Sequence, residues 1–324
     1  MKAIQIQNDE SNTLIWSEVP TPQPGPGEVL VRVHSTACNR ADLYQRKGGY
    51  PPPEGASDIL GLEAAGKIAA LGPDVDDWKE GDRVCALLAG GGYAEYVVVP
   101  AAMLLAIPEG MAFNEAAAIP EVFYTAYLNI FMEAAQKPGE IVLLHAGASG
   151  VGTAAIQLCR AFDSPVFATA SAPKLQFLRD MGVQEAIDRE NDDFSGIIAR
   201  HTNKRGVDII LDPVGAAYLQ KNIRSLATGG RLVLIGLLSG AETEISLGRI
   251  LRKRLRIIGS VLRSRSLEEK VRITSEIRRK VWPLFETGRL KPIIDEVFAV
   301  DEANIAHDLL QTNATIGKVV LQVV

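Results

Sequence analysis

Between positions 143 and 158 the chain reads LLHAGASGVGTAAIQL, an apolar run that gives way to glycine, alanine and serine and then turns apolar again. Few stretches restrict a fold more. Residues 141–146 have the composition of a buried strand and GTAAIQLCRAF that of a helix, so a turn of the smallest residues must join them. The texture then repeats: PVFATA leads to APKLQFLRDM, GVDIILD to AYLQKNIRSLA, RLVLIG to LGRILRKR, and LRIIGSV closes the series. Strands separated by helices cannot pair as tight hairpins, so this region is expected to be a doubly wound parallel sheet with helices on both faces. The helix-like NEAAAIPEVFYTAYLNIFMEAA leads into it.

The preceding hundred or so residues read differently. EVLVRVHSTA, AAGKIAALG, DRVCALL and YAEYVVVP are β-branched or apolar runs set off by Gly, Pro and Asp, the signature of a partly closed antiparallel sheet. PTPQPGPGE and YPPPEGAS cannot supply ladder hydrogen bonds and must be loops. After Val261 come the amphipathic SLEEKVRITSEIRRKVWPLFETG, then EVFAV, EANIAHDLLQT and GKVVLQVV, which do not extend the alternation and are assigned back to the first domain. A chain of 324 residues suits two domains of roughly 150 residues each. The expected division is 1–119 with 263–324, and 120–262.

Several classes are excluded. Hydrophobic residues make up 47% of the chain and charged ones 23%, enough apolar surface to offset the entropy of ordering. A net charge of −5 without like-charge runs argues against a nucleic-acid surface. Cys38, Cys85 and Cys159 form no C-x-x-C pair, which disfavours a disulfide framework and suits a reducing cytoplasm. The N-terminus lacks the apolar stretch of a secretory signal, and His145 with the glycine turn interrupts the longest apolar region, so a soluble protein without a membrane span is expected.

The strand–glycine turn–helix context is that of a dinucleotide fingerprint. Gly147 would permit the tight turn and Gly152 the close approach of helix to strand, with Ser149 where a second glycine is usual. Small residues at a helix N-terminus let a pyrophosphate reach unpaired N–H groups, and the Ser149 hydroxyl could contact it. An NAD site usually ends its second strand in Asp or Glu. Here that strand ends Thr169, Ala170, Ser171, with Lys174 a turn later, so NADP(H) is expected over NAD(H). A merely solvated Lys174 is the competing reading.

Together these features resemble the medium-chain dehydrogenase/reductase superfamily. Within it, NRADLYQRKGGYPPPEGASDILGLEAAGKI, LLAGGGYAEYVVVP, AAAIPEVFYTAY and HAGASGVGTAAIQL are similar to zeta-crystallin-like quinone oxidoreductases, with the tumour-suppressor-induced branch nearest. The resemblance spans the chain. It implies a GroES-like, partly closed β-barrel catalytic domain split around a Rossmann domain, and an NADPH-dependent reductase of small quinones, ortho-quinones favoured. It also implies a homodimer formed through the edge strand LRIIGSV. Zinc members of the superfamily need a Cys-type ligand in the first motif and the His of a G-H-E triplet; here Asn39 and Leu62 stand there, so zinc independence is expected.

By the same resemblance Tyr50 reaches the nicotinamide and substrate region and, with Ser149, is the catalytic candidate, though Tyr50 could instead simply pack on its proline loop. Asn39 and Tyr44 match cleft-facing positions, though either could instead simply satisfy backbone groups; Thr125 matches the nicotinamide ribose, and Ser149, Gly150 and Val151 the pyrophosphate. Leu237, Ser260 and Leu262 match positions whose backbone nears the nicotinamide. Arg189 could stack on adenine and pair with the 2′-phosphate, or form an exposed salt bridge with Asp188 or Glu190. The rival functions are an alkenal or enone double-bond reductase and a non-enzymatic structural or RNA-binding protein.

Overall fold

The computed structural model describes residues 1–324 and divides into two compact units, Met1–Tyr124 with Leu262–Val324, and Thr125–Val261. The first unit opens with β1 (Lys2–Ile6), β2 (Leu14–Glu18), β3 (Glu28–Cys38), α1 (Arg40–Arg46), β4 (Glu63–Leu71), β5 (Arg83–Leu87), β6 (Tyr96–Pro100) and β7 (Leu105–Ala106). The long β3 organises it, pairing antiparallel with both β4 and β6. The prolines of both proline-rich segments lie outside the strands and helices, the first segment running into β3 at Glu28.

The helix-like stretch after Ala112 is not one helix. It forms α2 (Phe113–Ala117), α3 (Pro120–Tyr127) and a π-helical stretch over Leu128–Glu133. Pro120 has no N–H to continue the first helix, but its fixed φ suits the first position of a new one. Asn129 Nδ2 donates to the Thr125 carbonyl at 2.8 Å, which accommodates the wider turn.

The second unit comprises β8 (Val142–Leu144), α4 (Gly150–Ala161), β9 (Val166–Ala170), α5 (Leu175–Asp180), β10 (Glu185–Asp188), α6 (Phe194–His201), β11 (Val207–Asp212), α7 (Leu219–Ser225), β12 (Leu226–Leu234), α8 (Leu247–Lys253) and β13 (Arg256–Gly259). Its strands run in the order β10-β9-β8-β11-β12-β13, and every pairing is parallel. This is the doubly wound order, with β8 beside the point where the winding reverses. The sequence did not announce β10, whose four residues begin and end on acids. Leu143, Phe167, Ile187, Ile210 and Leu232 meet Phe194, Ile198 and Ile223 in the core, each burial contributing about 1.5–3 kcal/mol.

The chain then returns to the first unit through α9 (Leu267–Lys280), α10 (Trp282–Glu286), β14 (Ile294–Ala299), α11 (Ala303–Gln311) and β15 (Lys318–Gln322). The single amphipathic stretch expected after Val261 divides near Pro283, and Ser266 caps α9 by accepting from the Glu269 N–H at 3.2 Å. β15 pairs antiparallel with β3, completing a sheet of order β14-β15-β3-β4-β5-β7 with β6 also on β3. That pairing brings Lys318, at the start of β15, beside the end of β3. No helix is long and apolar enough to cross a membrane.

Candidate functional site

In the second unit the glycine stretch forms the turn from β8 into α4. The left-handed residue of that turn is Ala146, at φ 54°, and not Gly147. Gly147 is needed for space instead: a Cβ there would lie 2.8 Å from the Ala168 Cβ on β9. At Gly152 a Cβ would meet the Gly147 carbonyl oxygen at 2.4 Å, so the helix begins pressed onto the turn. Ser149 is the N-cap, its hydroxyl accepting from the Gly152 N–H at 3.1 Å. The N–H groups of Gly150 and Val151 come next, in the first turn, where a helix offers them no backbone acceptor. Ser149 is exposed and both of these residues partly so, which leaves the mouth of α4 open to an anion.

The ends of the neighbouring strands flank this mouth. β9 runs out at Ala170, followed by the partly exposed Ser171 and, after one tight turn, Lys174. Because β10 pairs in register with β9, the Arg189 N–H donates to the Ala170 carbonyl at 2.9 Å, setting Arg189 beside Ser171. The Arg189 guanidinium meets Glu190 at 3.2 Å, with side chains 46% and 65% exposed, an ion pair of roughly 0–1 kcal/mol that an anion could displace. The Asp188 carboxylate is engaged locally: it accepts from the Glu190 N–H and from Asn191, and these hydrogen bonds hold its pKa below the ordinary range. Leu237 follows β12 and is 53% exposed, while Ser260 follows β13 with its N–H on the Leu234 carbonyl at 3.0 Å. Gly147, Ser149, Gly150, Val151, Gly152, Ser171, Lys174, Arg189, Leu237 and Ser260 therefore all lie at the carboxyl ends of the parallel strands. Thr125 lies on α3 at the start of the unit.

A buried polar chain fixes these ends. His145 Nδ1 accepts from the Thr169 hydroxyl at 3.1 Å, its Nε2 donates to Asn222 Oδ1 at 2.7 Å, and Asn222 donates to Asp212 at 2.8 Å. Asp212 in turn accepts from the N–H groups of Val214 and Gly215, shaping the turn after β11. Burial pulls the His145 pKa down to about 4, so the imidazole is neutral, and pushes Asp212 up to about 6.

The first unit holds a second polar cluster. Asn39 precedes α1, and its N–H is held by Asp42 at 2.8 Å. Its side-chain nitrogen donates to Glu63 at 2.8 Å and to the Ala37 carbonyl at 3.2 Å, while its oxygen accepts from Lys318 at 2.6 Å. Both amide hydrogens are thus committed inside the protein, and Asn39 offers a ligand no donor. Lys318 also reaches Glu63 and the Cys38 carbonyl at 2.8 Å each, so its three protons meet three oxygens. Asp42 takes a further hydrogen bond from the Gly61 N–H, and burial lifts its pKa to about 6. Tyr44 projects from α1 and is 46% exposed.

Tyr50 is half-buried under Arg263, whose guanidinium lies 5.2 Å from the ring centre. Arg263 also donates to the carbonyls of Tyr50 and Ala89 and to Gln45, so one buried cation pins the loop that carries Tyr50. Burial first, and then Glu121, raise the phenol pKa, with Arg263 opposing; Tyr50 is a neutral donor. Leu262, buried, belongs to this unit and not to the strand ends of the other.

The donor set does not suit zinc. Asn39 is spent, Leu62 is buried and apolar, and burial pushes the Cys38 thiol to about 12, far from a thiolate. No three His, Cys, Asp or Glu side chains are grouped to hold a metal ion. Sequence reasoning missed Glu63, Lys318, Glu121, Arg263 and the His145–Asn222–Asp212 chain. Nothing near GKVV marked Lys318 as the partner of a residue on β4.

Residues 25–109 match the alcohol dehydrogenase GroES-like domain family and residues 150–276 the zinc-binding dehydrogenase family. The synaptic vesicle membrane protein VAT-1 homolog of Rattus norvegicus is 36% identical over 315 residues, covering 93% of this chain and 78% of the relative. The quinone oxidoreductase of Sus scrofa is 31% identical over 310 residues, 95% of this chain and 92% of the relative. Among solved structures, an NAD-dependent alcohol dehydrogenase superposes with a TM-score of 0.88 at 33% identity over 100% of both chains. The JamJ enoyl reductase gives 0.88 at 28% identity, covering 99% of this chain and 98% of its own. The chain belongs to the medium-chain dehydrogenase/reductase superfamily, a nicotinamide-dependent oxidoreductase family, on its quinone oxidoreductase-like branch.

Proposed function

We propose that this chain is a zinc-independent, NADPH-dependent quinone oxidoreductase acting on small quinones, ortho-quinones foremost. The observation that carries the reading is the mouth of α4: free first-turn N–H groups at Gly150 and Val151, a neighbouring strand that ends without an acid, and Lys174 and Arg189 beside it. Backbone amides suit the pyrophosphate, and the two cations with Ser171 suit a 2′-phosphate, which an acid at that strand end would repel. Bound NADPH supplies the hydride. Ser149 acts by capping α4, so its contribution is to aim the amides; Tyr50 donates a hydrogen bond to a quinone oxygen on which charge develops. Thr125, Leu237, Ser260 and Leu262 are assigned to the nicotinamide end, Tyr44 to the substrate end, and Asn39 to positioning through Glu63 and Lys318.

In this reading 1–119 with 263–324 form the catalytic part and 120–262 the nucleotide-binding part. The outer strand β13 has one unpaired edge, with Ile257 and Val261 38% and 51% exposed, which supports a homodimer joined edge to edge. A cytoplasmic location and the absence of a nucleic-acid partner belong to the same proposal.

The test is a steady-state comparison of NADPH oxidation with ortho-quinones and with alkenals. Faster turnover of the quinones is expected. The likeness to an enoyl reductase favours the second reading, an alkenal or enone reductase, and alkenal turnover without quinone turnover would establish that instead.

A further inference from the structure

The outer face of the long strand β3 carries a row of like charges that the sheet register itself enforces. Arg32 stands directly opposite Lys67 of β4, and Lys67 directly opposite Arg83 of β5, so three cations lie side by side on adjacent strands. Tyr96 of β6 faces Arg32 from the other side. Direct cross-strand partners share one face of a sheet, and with Arg32 and Lys67 exposed that face is the solvent face. Like charges in this relation destabilise a sheet.

Nothing within the protein compensates them. The side chains of Arg32 and Lys67 have no hydrogen bond or ion pair, whereas exposed cations elsewhere find acids: Arg205 meets Asp208, and Arg279 meets Glu276. Acids are not scarce, since Asp and Glu number 39 against 34 Lys and Arg. The carboxyls on neighbouring segments are engaged with backbone. Glu95, before Tyr96, accepts from the Lys2 N–H at 2.6 Å; Asp82, before Arg83, from the Lys79 N–H at 3.0 Å; and Glu115 of α2 from the Ala112 N–H at 2.8 Å. Rings brace the Arg83 end of the row. Phe113 of α2 stacks on His34 of β3 with ring centres 4.1 Å apart, and the Arg83 guanidinium lies 4.7 Å from the Phe113 centre while donating to the Met111 carbonyl. One of the three cations is therefore already held in place. The His34 ring nitrogens have no hydrogen-bond partner, and burial, then Lys67, Arg32 and Arg83, lower its pKa.

We propose that the Arg32–Lys67–Arg83 row is a binding site for a phosphoryl dianion, free or carried by a small phosphomonoester, with His34 at its rim. Two guanidinium forks and an ammonium between them match the charge and the several acceptor oxygens of such a group. A dianion lying over Lys67 turns the repulsion between neighbours into a shared attraction, which a single carboxylate does less well. The site belongs to the first unit alone and does not depend on the coenzyme or quinone reading above.

The test follows the histidine resonances of the intact chain by NMR while inorganic phosphate and, separately, glycerol phosphate are added at an ionic strength held constant with sodium chloride. The chain has four histidines, and His34→Gln identifies the signal that matters, so phosphate bound at the mouth of α4 does not confuse the reading. In the wild type the His34 pKa should rise and saturate with phosphate, because the dianion offsets the three cations. Lys67→Gln should weaken that apparent affinity about tenfold. Without phosphate the same variant should melt no lower than the wild type, since it removes a repulsion on both sides of Lys67. A response to glycerol phosphate as well as phosphate assigns the site to phosphomonoesters, and a response to phosphate alone assigns it to the free ion. The same His34 shift produced by sodium chloride alone, or a phosphate affinity unchanged in Lys67→Gln, would overturn the proposal.

Discussion

The mouth of α4 and the cluster around Glu63 are built on opposite principles. At α4 the working groups are backbone amides with the smallest side chains around them, and the titratable residues below, His145 and Asp212, sit in a closed hydrogen-bond chain. Around Glu63 the working groups are a charged pair of side chains, Glu63 of β4 and Lys318 of β15, tied to the Cys38 carbonyl of β3, the Asn39 amide and the Glu121 N–H of α3, with the ammonium meeting three oxygens. A site made of backbone tolerates changes that preserve space and the helix start. A site made of a buried ion pair is intolerant, because removing one partner leaves the other uncompensated.

That contrast sets the expected size of each perturbation. Lys318→Met should have the largest effect, about 3–5 kcal/mol of stability lost, because Glu63 would be left in a fully buried place without its ion-pair partner. Chemical denaturation measures this, and adding Glu63→Gln to the same chain should restore much of the loss; a single variant as stable as wild type would break the contrast.

Next comes acid. The folded pKa of His145 lies near 4, below its ordinary 6.5, so the unfolded chain binds the proton first. Its contribution is complete above pH 6.5 and is lost as pH falls towards 4. Each tenfold difference in proton affinity between folded and unfolded chain is worth about 1.4 kcal/mol, which brings the whole loss to about 3 kcal/mol. Unfolding free energies taken across that range should fall less steeply in His145→Gln than in wild type.

Smaller still, Lys174→Ala and Arg189→Ala should each weaken NADPH binding about tenfold and leave NADH nearly unchanged. Equal losses for the two coenzymes would assign these cations to something other than the 2′-phosphate. Ser149→Ala should be mildest, costing about 1 kcal/mol for the lost cap with a modest loss of coenzyme affinity.

The two regions also differ in how far they could be read from sequence. The α4 turn is local: strand, small residues and helix follow within about twenty positions, so both its place in a parallel sheet and its anion-binding character were legible. The detail was not. Gly147 looked like the residue that turns the chain, yet Ala146 has the positive φ and Gly147 makes room for Ala168, a neighbour supplied by a different strand. The long helix-like stretch was read as one element; the structure breaks it before Pro120 and continues it as a π-helical segment after Tyr127.

The Glu63 cluster is non-local. Lys318 meets Glu63 because β15 pairs with β3, which pairs with β4, and no pattern in GKVV or GLEA encodes that register. For Asn39 the sequence left open a cleft-facing contact or the satisfying of backbone groups, and the structure shows its amide hydrogens committed to Glu63 and the Ala37 carbonyl.

Calorimetric titration of the intact chain with NADPH and, separately, with NADH tests the central claim most directly. The bare amides of α4 and the cations at the ends of β9 and β10 should hold NADPH about tenfold or more tighter than NADH. NADH binding as tight as NADPH, or no heat from either coenzyme with folded protein, would contradict it.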